Sequence, residues 1–255
     1  MRALAVLMFW LAAAASQAAQ LAYEPIGLAW SAEEVEHTAA ARRAALVERA
    51  QQAQQLGCRQ QCERLAAIFE RLLSQARLQT ARSASLPWTL SVVQLPDIEA
   101  EAVSGGLVAV SEPYLDRRAL SDEALAFVLA HEMAHIILEH ERQALTFALL
   151  LLPRQVTRSV QDMYVEMDFS LSLLKRMEPV LHQGEFEADE LGLLMASAAG
   201  FDPDRQLAYM QQECAFDSAR SGLVSTHPAA CERLRALHAR LPLARRQLPD
   251  KSSLR

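Results

Sequence analysis

His131, Glu132 and His135 form a His-Glu-x-x-His run, whose residue types and spacing suit metal-dependent hydrolysis. Residues four apart lie on one face of an α-helix, so the two imidazoles can bind one metal ion. Glu132 is rotated by about 100° from His131, so its carboxylate reaches a water molecule beside the metal rather than the metal itself. The run therefore predicts a zinc peptidase site. The structural alternative is a pair of core histidines whose hydrogen bonds are satisfied within the protein.

A catalytic zinc site also needs a third protein ligand and an open fourth position. Glu185 and Asp189 are four residues apart in a segment that reads as the acidic start of a helix ending at Gly200. One carboxylate can bind the metal while the other accepts the spare N–H of a ligating imidazole. An acidic helix start is ordinarily a solvated face. Only together with the His-Glu-x-x-His run does this pair become a candidate for the third ligand.

The helix that carries the run has a clear beginning. Ser121 is a good N-cap, and Asp122 and Glu123 lie in the first turn, where the helix dipole favours negative charge. Residues 124–138 are apolar on nearly every face, which predicts a helix buried in the middle of the fold. Polar side chains in such a helix are costly unless they have partners, so burial favours a metal site.

The remaining segments predict a mostly helical α+β domain with a small β-sheet and a buried zinc-binding helix. Helix is expected from Ser31 to Arg82 with a break at Gly57, and again after Ser121. Two short segments predict strands at Trp88–Val93 and Leu107–Ser111. The chain divides into four predicted parts: a signal peptide at 1–18, an N-terminal helical region at 19–87 that packs on the core, the zinc domain at 88–241 and a tail at 242–255.

Composition and the N-terminus restrict the class and the location of the protein. Of 255 residues, 51% are hydrophobic and 22% are charged, which excludes a disordered or low-complexity chain. The net charge of −6 offers no basic field for phosphates, so nucleic acid is not an expected partner.

The N-terminus has the layout of a secretory signal: Arg2, the apolar run Ala3–Ala15 and small residues up to Ala18. We therefore expect a cleaved signal peptide and a periplasmic or secreted protein, with an uncleaved membrane anchor as the alternative.

Four motifs, taken together and in order, identify a resemblance to one known family. They are the stretch Glu99–Ser111 with its paired glycines, the run His131–His135, the acidic motif Glu185–Asp189 and the His-Pro-x-x-x-x-Arg motif from His227 to Arg233. With these motifs the chain resembles the family forty-eight metallopeptidases, the gluzincins related to the CAAX prenyl protease, HtpX and periplasmic outer-membrane quality-control proteases. The resemblance covers roughly residues 89–241 and implies a zincin-like core.

The resemblance implies one Zn²⁺ per chain on His131, His135 and Glu185, with Asp189 supporting a ligating imidazole. Zinc there would acidify a water molecule toward a pKa of about 7 and would polarise a peptide carbonyl. Glu132 would take the proton of the water and pass it to the leaving amine. The implied activity is therefore that of a zinc metalloendopeptidase.

The resemblance also implies the kind of substrate. Unfolded or misassembled envelope polypeptides are expected to bind by main-chain pairing to an open strand edge formed by Leu107, Val108, Ala109 and Val110. A membrane surface or outer-membrane assembly machinery is a further expected contact. The rival class is a non-catalytic, zinc-stabilised chaperone or assembly factor that holds extended clients in the same groove. Intact Glu132 argues against this rival, because structural zinc needs no neighbouring base.

His227 has three interpretations, and the sequence leaves all of them open. Carried over the zinc by a mobile loop at Asp217–Thr226, its imidazole could occupy the fourth metal position as a plug that keeps the enzyme latent, as the periplasmic relatives suggest. Swung aside, it could instead donate a hydrogen bond to the tetrahedral intermediate. The structural alternative is a residue that begins and caps a helix running to Arg240, because Pro228 suits the first helical position and Pro242 follows.

Other polar side chains near the predicted chemistry also keep more than one interpretation. His140 follows His135 by five residues and is expected as a surface group or as a support for a metal ligand. The sequence does not choose which group binds the oxyanion. The candidates are Tyr114, Tyr164, Tyr209 and Arg233.

The cysteines and one apolar segment complete the predictions. We favour pairing Cys58 with Cys62 and Cys214 with Cys231, because each disulfide joins residues already brought close. The other connectivities and free buried thiols are the alternatives. The segment Ala144–Leu152 is too short to span a membrane and is expected to pack in the core, with a membrane-dipping or client-binding flap as the alternative.

Overall fold

The computed structural model of the protein describes residues 27–153, 156–217 and 227–249. The predicted signal peptide at 1–18 and residues 218–226 of the expected loop before His227 lie outside the described residues. Within the described ranges the chain forms ten helices and three short strands. In chain order they are α1 (Ala32–Gln52), α2 (Cys62–Ala76), α3 (Ala81–Ser85), β1 (Thr89–Val93), β2 (Ala100–Val103), β3 (Leu107–Ser111), α4 (Glu112–Arg118), α5 (Asp122–Ile137), α6 (His140–Leu151), α7 (Val160–Phe169), α8 (Leu171–Ala198), α9 (Pro203–Asp217) and α10 (Ala230–Gln247).

The N-terminal region is helical with a break near Gly57, as predicted, but it contains a second break. Helix α2 ends at Ala76, and Thr80 starts α3 with a capping box. The Thr80 hydroxyl accepts the Ser83 N–H, and the Ser83 hydroxyl accepts the Thr80 N–H. The chain is thus turned toward β1 by local hydrogen bonds that hydrophobic periodicity does not show.

Strand β3 lies in the middle of the sheet, parallel to β1 on one side and antiparallel to β2 on the other. Gly105 and Gly106, at φ of +93° and +96°, make the tight turn between β2 and β3. The sequence does not predict β2, because a four-residue Ala-Glu-Ala-Val segment has little strand propensity. The prediction that Leu107, Val108, Ala109 and Val110 offer an open edge is wrong, because both sides of their main chain are already paired and all four residues are buried.

Helix α5 runs through the centre of the fold, as its apolar sequence predicts. It packs against α2 and α9 and most extensively against α8, while β2 and β3 cover another side. The side chains of Leu125, Phe127, Leu129 and Met133 are fully buried. Since α5 is surrounded, any polar side chain that it carries must find its partners on these neighbouring elements.

Helix α8 is longer than the sequence predicts, because it begins at Leu171 rather than near Gly184. The helix continues through Pro179, which has no N–H to donate to the carbonyl of Lys175. Both residues are exposed, so water can satisfy that carbonyl. Glu185 therefore lies in the middle of a 28-residue helix and not in an acidic first turn. The predicted end is confirmed: Gly200 follows the C-cap with a φ of +87°.

Helix α10 also differs from its predicted bounds, since it starts at Ala230 and continues through Pro242 to Gln247. The apolar stripe extends past the proline, because buried Ala244 follows buried Leu237 and packs in the same cluster as Phe127 of α5. Continued burial thus compensates for the one hydrogen bond that Pro242 removes. A disulfide between Cys214 and Cys231 joins α9 to the first turn of α10.

The segment Ala144–Leu152 belongs mostly to α6, and its inward face packs in a core cluster with α7 and α8. Ala144, Leu145 and Ala148 are buried there, in agreement with the expectation of core packing. Among the described residues, none of the helices combines the length and the apolar character needed to cross a bilayer. The second disulfide, Cys58–Cys62, lies at the start of α2, so both disulfides follow the pairing that the sequence favours.

Candidate metal centre

Helix α5 carries the His-Glu-x-x-His run in its last two turns. Its N-terminus is fixed by Ser121, whose side chain accepts the Ala124 N–H, and by buried Leu120 and Leu125. The run starts three turns further on, where α8 crosses α5. The imidazoles of His131 and His135 point to the same side, with their Nε2 atoms 3.1 Å apart.

Glu185 of α8 completes a group of three ligand atoms around one point. Its Oε2 lies 3.4 Å from His131 Nε2, and its Oε1 lies 3.3 Å from His135 Nε2. Zinc at about 2.0–2.1 Å from nitrogen or oxygen ligands gives tetrahedral ligand-to-ligand distances of about 3.3–3.4 Å. The separation of the two imidazole nitrogens, and the contact that each nitrogen makes with one of the two Glu185 oxygens, are close to these values. The ligand triangle of these three side chains therefore fits a tetrahedral zinc ion.

A second observation supports the fit. Among the described residues, His131, His135 and Glu185 are the group of histidine, cysteine and acidic side chains close enough to hold a metal ion. Within that part of the chain, Glu185 Oε2 is also a buried oxygen whose contacts, to Arg233 Nη1 at 3.1 Å and to His131 Nε2 at 3.4 Å, lack the geometry of a hydrogen bond. A buried oxygen without a hydrogen bond is costly, and a metal ion would satisfy it.

Asp189 and Arg233 hold the first histidine from behind. Asp189 Oδ1 lies 3.0 Å from His131 Nδ1, which is the nitrogen that faces away from the other two ligands. Arg233 of α10 donates to both Asp189 oxygens, and its Nη1 lies 3.1 Å from Glu185 Oε2. The structure therefore places Arg233 against the carboxylates that support the site, rather than on its open side.

The electrostatics of this cluster follow from burial and close pairing. Burial by itself would lower the pKa of His131, but its hydrogen bonds to Asp189 and Glu185 outweigh burial and raise the pKa to about 10. Burial would raise the pKa of Glu185, but close pairing with the His131 and His135 imidazoles holds it well below its usual range. Glu185 is thus a carboxylate, the form that binds a metal cation.

Glu132 lies beside this triangle and is partly exposed. Burial raises the pKa of its carboxyl group, and the negative charge of Glu185 raises it further. Its carboxylate is therefore a stronger base than that of an ordinary surface glutamate. This is the property that a group abstracting a proton from water requires.

Close approach of the two helices depends on Gly192 of α8. A Cβ at this position would lie 2.9 Å from the backbone nitrogen of His131 and 3.1 Å from its Cα. Backbone atoms cannot move aside as a flexible side chain can. The crossing of α5 and α8, and with it the distance from Glu185 and Asp189 to His131, is therefore set by a glycine.

His227 lies on the open side of the ligand triangle, with Nε2 3.5 Å from Glu185 Oε1 and a side chain that is 60% exposed. The N-cap of α10 is Ala229, two residues further along, so His227 does not begin that helix as predicted. Pro228 and Ala229 separate His227 from the helix, and the imidazole faces the metal ligands. The structure favours the two functional interpretations of His227 over the capping one.

The other predicted oxyanion donors have partners elsewhere. The hydroxyls of Tyr114 and Tyr209 are hydrogen-bonded to each other at 2.9 Å, and the Tyr164 hydroxyl donates to Glu141 at 2.8 Å. Burial raises the pKa of Tyr114 to about 12, so its hydroxyl is neutral. Of the five side chains considered for the oxyanion, His227 is the one that the structure places at the open face of the triangle.

His140 has one of its two expected roles, support of a metal ligand, whereas Glu187 is not identified from the sequence. His140 Nδ1 lies 2.9 Å from His135 Nδ1, and His140 Nε2 lies 3.2 Å from Glu187 Oε2. Of the two roles that the sequence predicts for His140, the structure therefore supports contact with a metal ligand and not a surface position. The sequence does place His140 and Glu187 close to His135 and Glu185. A spacing of five residues, however, does not predict contact between two side chains on a helix.

A central helix that presents two imidazoles and a glutamate to a carboxylate on a crossing helix, beside a small sheet, defines a metallopeptidase with a zincin-like α+β fold. Residues 59–241, which are well over half of the chain, match the model for Peptidase family M48. The chain belongs to this family, and the resemblance seen in the sequence is confirmed.

Curated relatives agree with this assignment. The chain is 30% identical over 168 residues to the mitochondrial metalloendopeptidase OMA1 of Schizosaccharomyces pombe, an alignment that covers 62% of this chain and 48% of the relative. It is 31% identical over 169 residues to the protein of the same name from Saccharomyces cerevisiae, with the same coverage. The protein of that name from Arabidopsis thaliana is 29% identical over 171 residues, covering 64% of this chain and 34% of the relative. The chain thus spans about half the length, or less, of these relatives.

The comparison corrects the predicted location. The sequence predicts a periplasmic or secreted protein, from the layout of residues 1–18 and from the resemblance to periplasmic proteases. The matched relatives are named as mitochondrial proteins, so this prediction is wrong. The prediction rests on an apolar run after a single arginine. Such a run identifies a hydrophobic segment, but it does not identify the compartment to which the protein is targeted.

Proposed function

We propose that the protein is a zinc-dependent endopeptidase that cleaves extended polypeptide segments. The observation that carries the proposal is the triangle of His131, His135 and Glu185, whose nitrogen–nitrogen and nitrogen–oxygen contacts of 3.1–3.4 Å suit tetrahedral zinc, with Glu132 beside it. When bound there, zinc supplies a Lewis acid that activates water and polarises the scissile carbonyl. The family and the named relatives support the same chemistry.

In this proposal Glu132 moves the proton. Its carboxylate takes a proton from the attacking water and gives it to the leaving amine. The raised pKa of Glu132 favours the first half of this transfer, because a stronger base accepts a proton from water more readily. A bound metal would displace the second proton of His131, and Asp189 would then keep the remaining proton of the neutral imidazole on Nδ1, with Nε2 acting as the ligand.

The outer edge of β2 is the proposed binding edge for substrate, in place of β3. Strand β2 pairs with β3 along one edge and packs against α5. Burial raises the pKa of Glu101 of β2, and the negative charge of nearby Glu132 raises it further. A polypeptide paired with this edge would run past the catalytic glutamate and bind through its main chain, with little dependence on sequence.

His227 is proposed to hold the resting enzyme in a latent state. Its Nε2 lies 3.5 Å from a ligand oxygen of Glu185, close to the spacing within the triangle itself, and on the exposed side. An imidazole there competes with water and substrate for the open position. Release of His227 would then be a condition for cleavage.

Degradation of casein, an unfolded substrate, tests the function. We expect cleavage by the zinc-loaded protein, loss of cleavage on chelation, and a drop of about 10²–10⁴-fold in the Glu132→Gln variant with zinc retained. Glu123→Gln, in the first turn of the same helix, is the matched control and should cleave normally. Because latency would mask activity, each protein is also assayed in the His227→Ala background.

Two outcomes would contradict the proposal. Cleavage that survives both chelation and Glu132→Gln would show that the site does not carry the reaction. Tight binding of casein without cleavage in either background would instead support the zinc-stabilised chaperone. Both results are readable from one gel series and one binding titration.

A further inference from the structure

A chain of hydrogen bonds leads away from the second metal ligand. His135 Nδ1 and His140 Nδ1 are 2.9 Å apart, and His140 Nε2 lies 3.2 Å from Glu187 Oε2. Glu187 in turn accepts a hydrogen bond of 2.7 Å from Gln183. The His140 side chain is 9% exposed and that of Glu187 is 36% exposed, so the chain runs from the ligand to the surface.

The backbone is shaped to bring these two histidines together. On a continuous helix, residues five apart point about 140° away from each other and do not meet. Here α5 ends at Ile137, and Glu139 adopts left-handed backbone angles, with φ of +56°, before α6 starts at His140. This break turns the His140 ring back onto His135, edge to face, with the ring centroids 4.9 Å apart.

Two ion pairs of Glu139 and the packing of α8 hold this unusual arrangement in place. Glu139 accepts a hydrogen bond of 2.5 Å from Arg142 and lies 3.4 Å from Arg82, which offsets the strain of a left-handed residue that is not glycine. Helix α8 lies against the His140 ring at Gly184, where even a Cβ would make an ordinary contact of 3.4 Å with the ring atoms Cγ and Nδ1. The ring is thus enclosed between the turn and α8.

We infer that His140 and Glu187 are positioning residues for zinc, a relay that fixes the orientation and protonation of His135. The inference rests on the proposed zinc site. If His135 binds the ion through Nε2, its neutral ring carries the proton on Nδ1 and donates it to His140 Nδ1. His140 must then carry its own proton on Nε2, which donates to the Glu187 carboxylate. Each of the three groups can take only one role, so the direction of the relay is determined.

The relay mirrors the support of the other histidine ligand. His131 is held through Nδ1 by Asp189, which α10 supports, while His135 is held through Nδ1 by His140, which Glu187 of α8 supports. Helix α8 therefore supplies the third ligand as well as a carboxylate for each imidazole. Residues 185, 187 and 189 of one helix serve three different parts of the site.

Zinc affinity tests the relay, measured by competition with a chelator in the full chain carrying Glu132→Gln to prevent self-cleavage. We expect His140→Leu to weaken zinc binding by about 10–100-fold and Glu187→Gln by a smaller factor. His140→Asn keeps an acceptor close to His135 and should recover part of the loss. His238→Leu, which removes an exposed histidine from α10, is the matched control.

A nuclear magnetic resonance measurement separates positioning from packing. In the zinc-loaded protein we expect a nitrogen–nitrogen coupling across the hydrogen bond between His135 and His140, with the proton on His135 Nδ1. Unchanged zinc affinity in His140→Leu would overturn the inference. If that variant does not fold, unchanged affinity in Glu187→Gln overturns it instead. Failure of the parent protein to bind zinc would overturn the proposed function as well, so the two failures are distinguishable.

Discussion

The guanidinium of Arg233 donates two hydrogen bonds to Asp189, of 2.7 Å from Nε and 2.6 Å from Nη2. Both side chains are nearly buried. The Asp189 carboxylate, held by Arg233, lies 3.0 Å from His131 Nδ1. Burial would raise the pKa of Asp189, but Arg233 and His131 keep it low, so Asp189 remains an acceptor for the imidazole N–H. A residue of α10 thus determines how a ligand on α5 is held.

We expect Arg233→Lys to weaken zinc binding by about 10–100-fold, because a lysine cannot make the paired contact that a guanidinium makes. Arg240→Lys is the matched control, since Arg240 pairs with Glu190 between the same two helices but at the surface. Competition with a fluorescent chelator measures both variants. Equal affinity in Arg233→Lys and Arg240→Lys would show that the buried pair only joins the helices.

His227→Ala distinguishes a plug from a transition-state donor by the sign of its effect. If the imidazole blocks the site in nine molecules of ten, its removal should raise the rate of casein cleavage by about 10-fold. If it instead stabilises the oxyanion, the rate should fall by about 10²–10³-fold. We expect the increase, accompanied by weaker zinc binding. A fall in rate, measured under the same conditions, would contradict latency.

Gly192→Ala should force α5 and α8 apart, because the added Cβ would be 2.9 Å from a backbone nitrogen. We expect a loss of about 1–3 kcal/mol in the free energy of unfolding, together with weaker zinc binding. Gly184→Ala, in the same helix, meets its neighbours at an ordinary 3.4 Å and should be neutral or stabilising. Urea unfolding of the two variants provides the comparison; similar midpoints would mean that the crossing has room to adjust.

Glu112 of α4 links acid sensitivity to the N-terminus of α2. Its buried carboxylate accepts the N–H groups of Arg59, Gln60 and Gln61, and the amide of Gln94. Burial would raise its pKa, but these hydrogen bonds lower it to about 2. Helix α2 has no side-chain cap of its own at Gln61, and Glu112 instead holds the three residues that lead into the helix.

Since the folded pKa of Glu112 lies below its ordinary value of 4.5, its contribution to stability is complete above pH 5 and is lost as the pH falls toward 2. The difference corresponds to about 3 kcal/mol. We expect Glu112→Gln to destabilise the protein at pH 7 and to flatten the acid limb of a plot of unfolding free energy against pH. Parallel acid limbs for the two proteins would exclude this role.

Local rules determined the metal-binding helix from the sequence. An N-cap, an all-round apolar pattern and a four-residue histidine spacing act within a few turns of one helix, so Ser121, His131 and His135 could be placed without knowledge of the rest of the chain. The family motif added Glu185 and Asp189, and the structure brings both to the imidazoles. The disulfides Cys58–Cys62 and Cys214–Cys231 were also predictable, because each joins cysteines that are near each other in sequence.

Tertiary structure alone decided how the site is enclosed. Whether β3 is an edge or a centre depends on β2, a strand that exists because a neighbour pairs with it and not because of its own propensity. Arg233 reaches Asp189 because α10 packs on α8, and His140 reaches His135 because a left-handed residue breaks the helix between them. Hydrogen bonds between distant elements depend on three-dimensional packing, whereas sequence periodicity reports only which side of one element is buried.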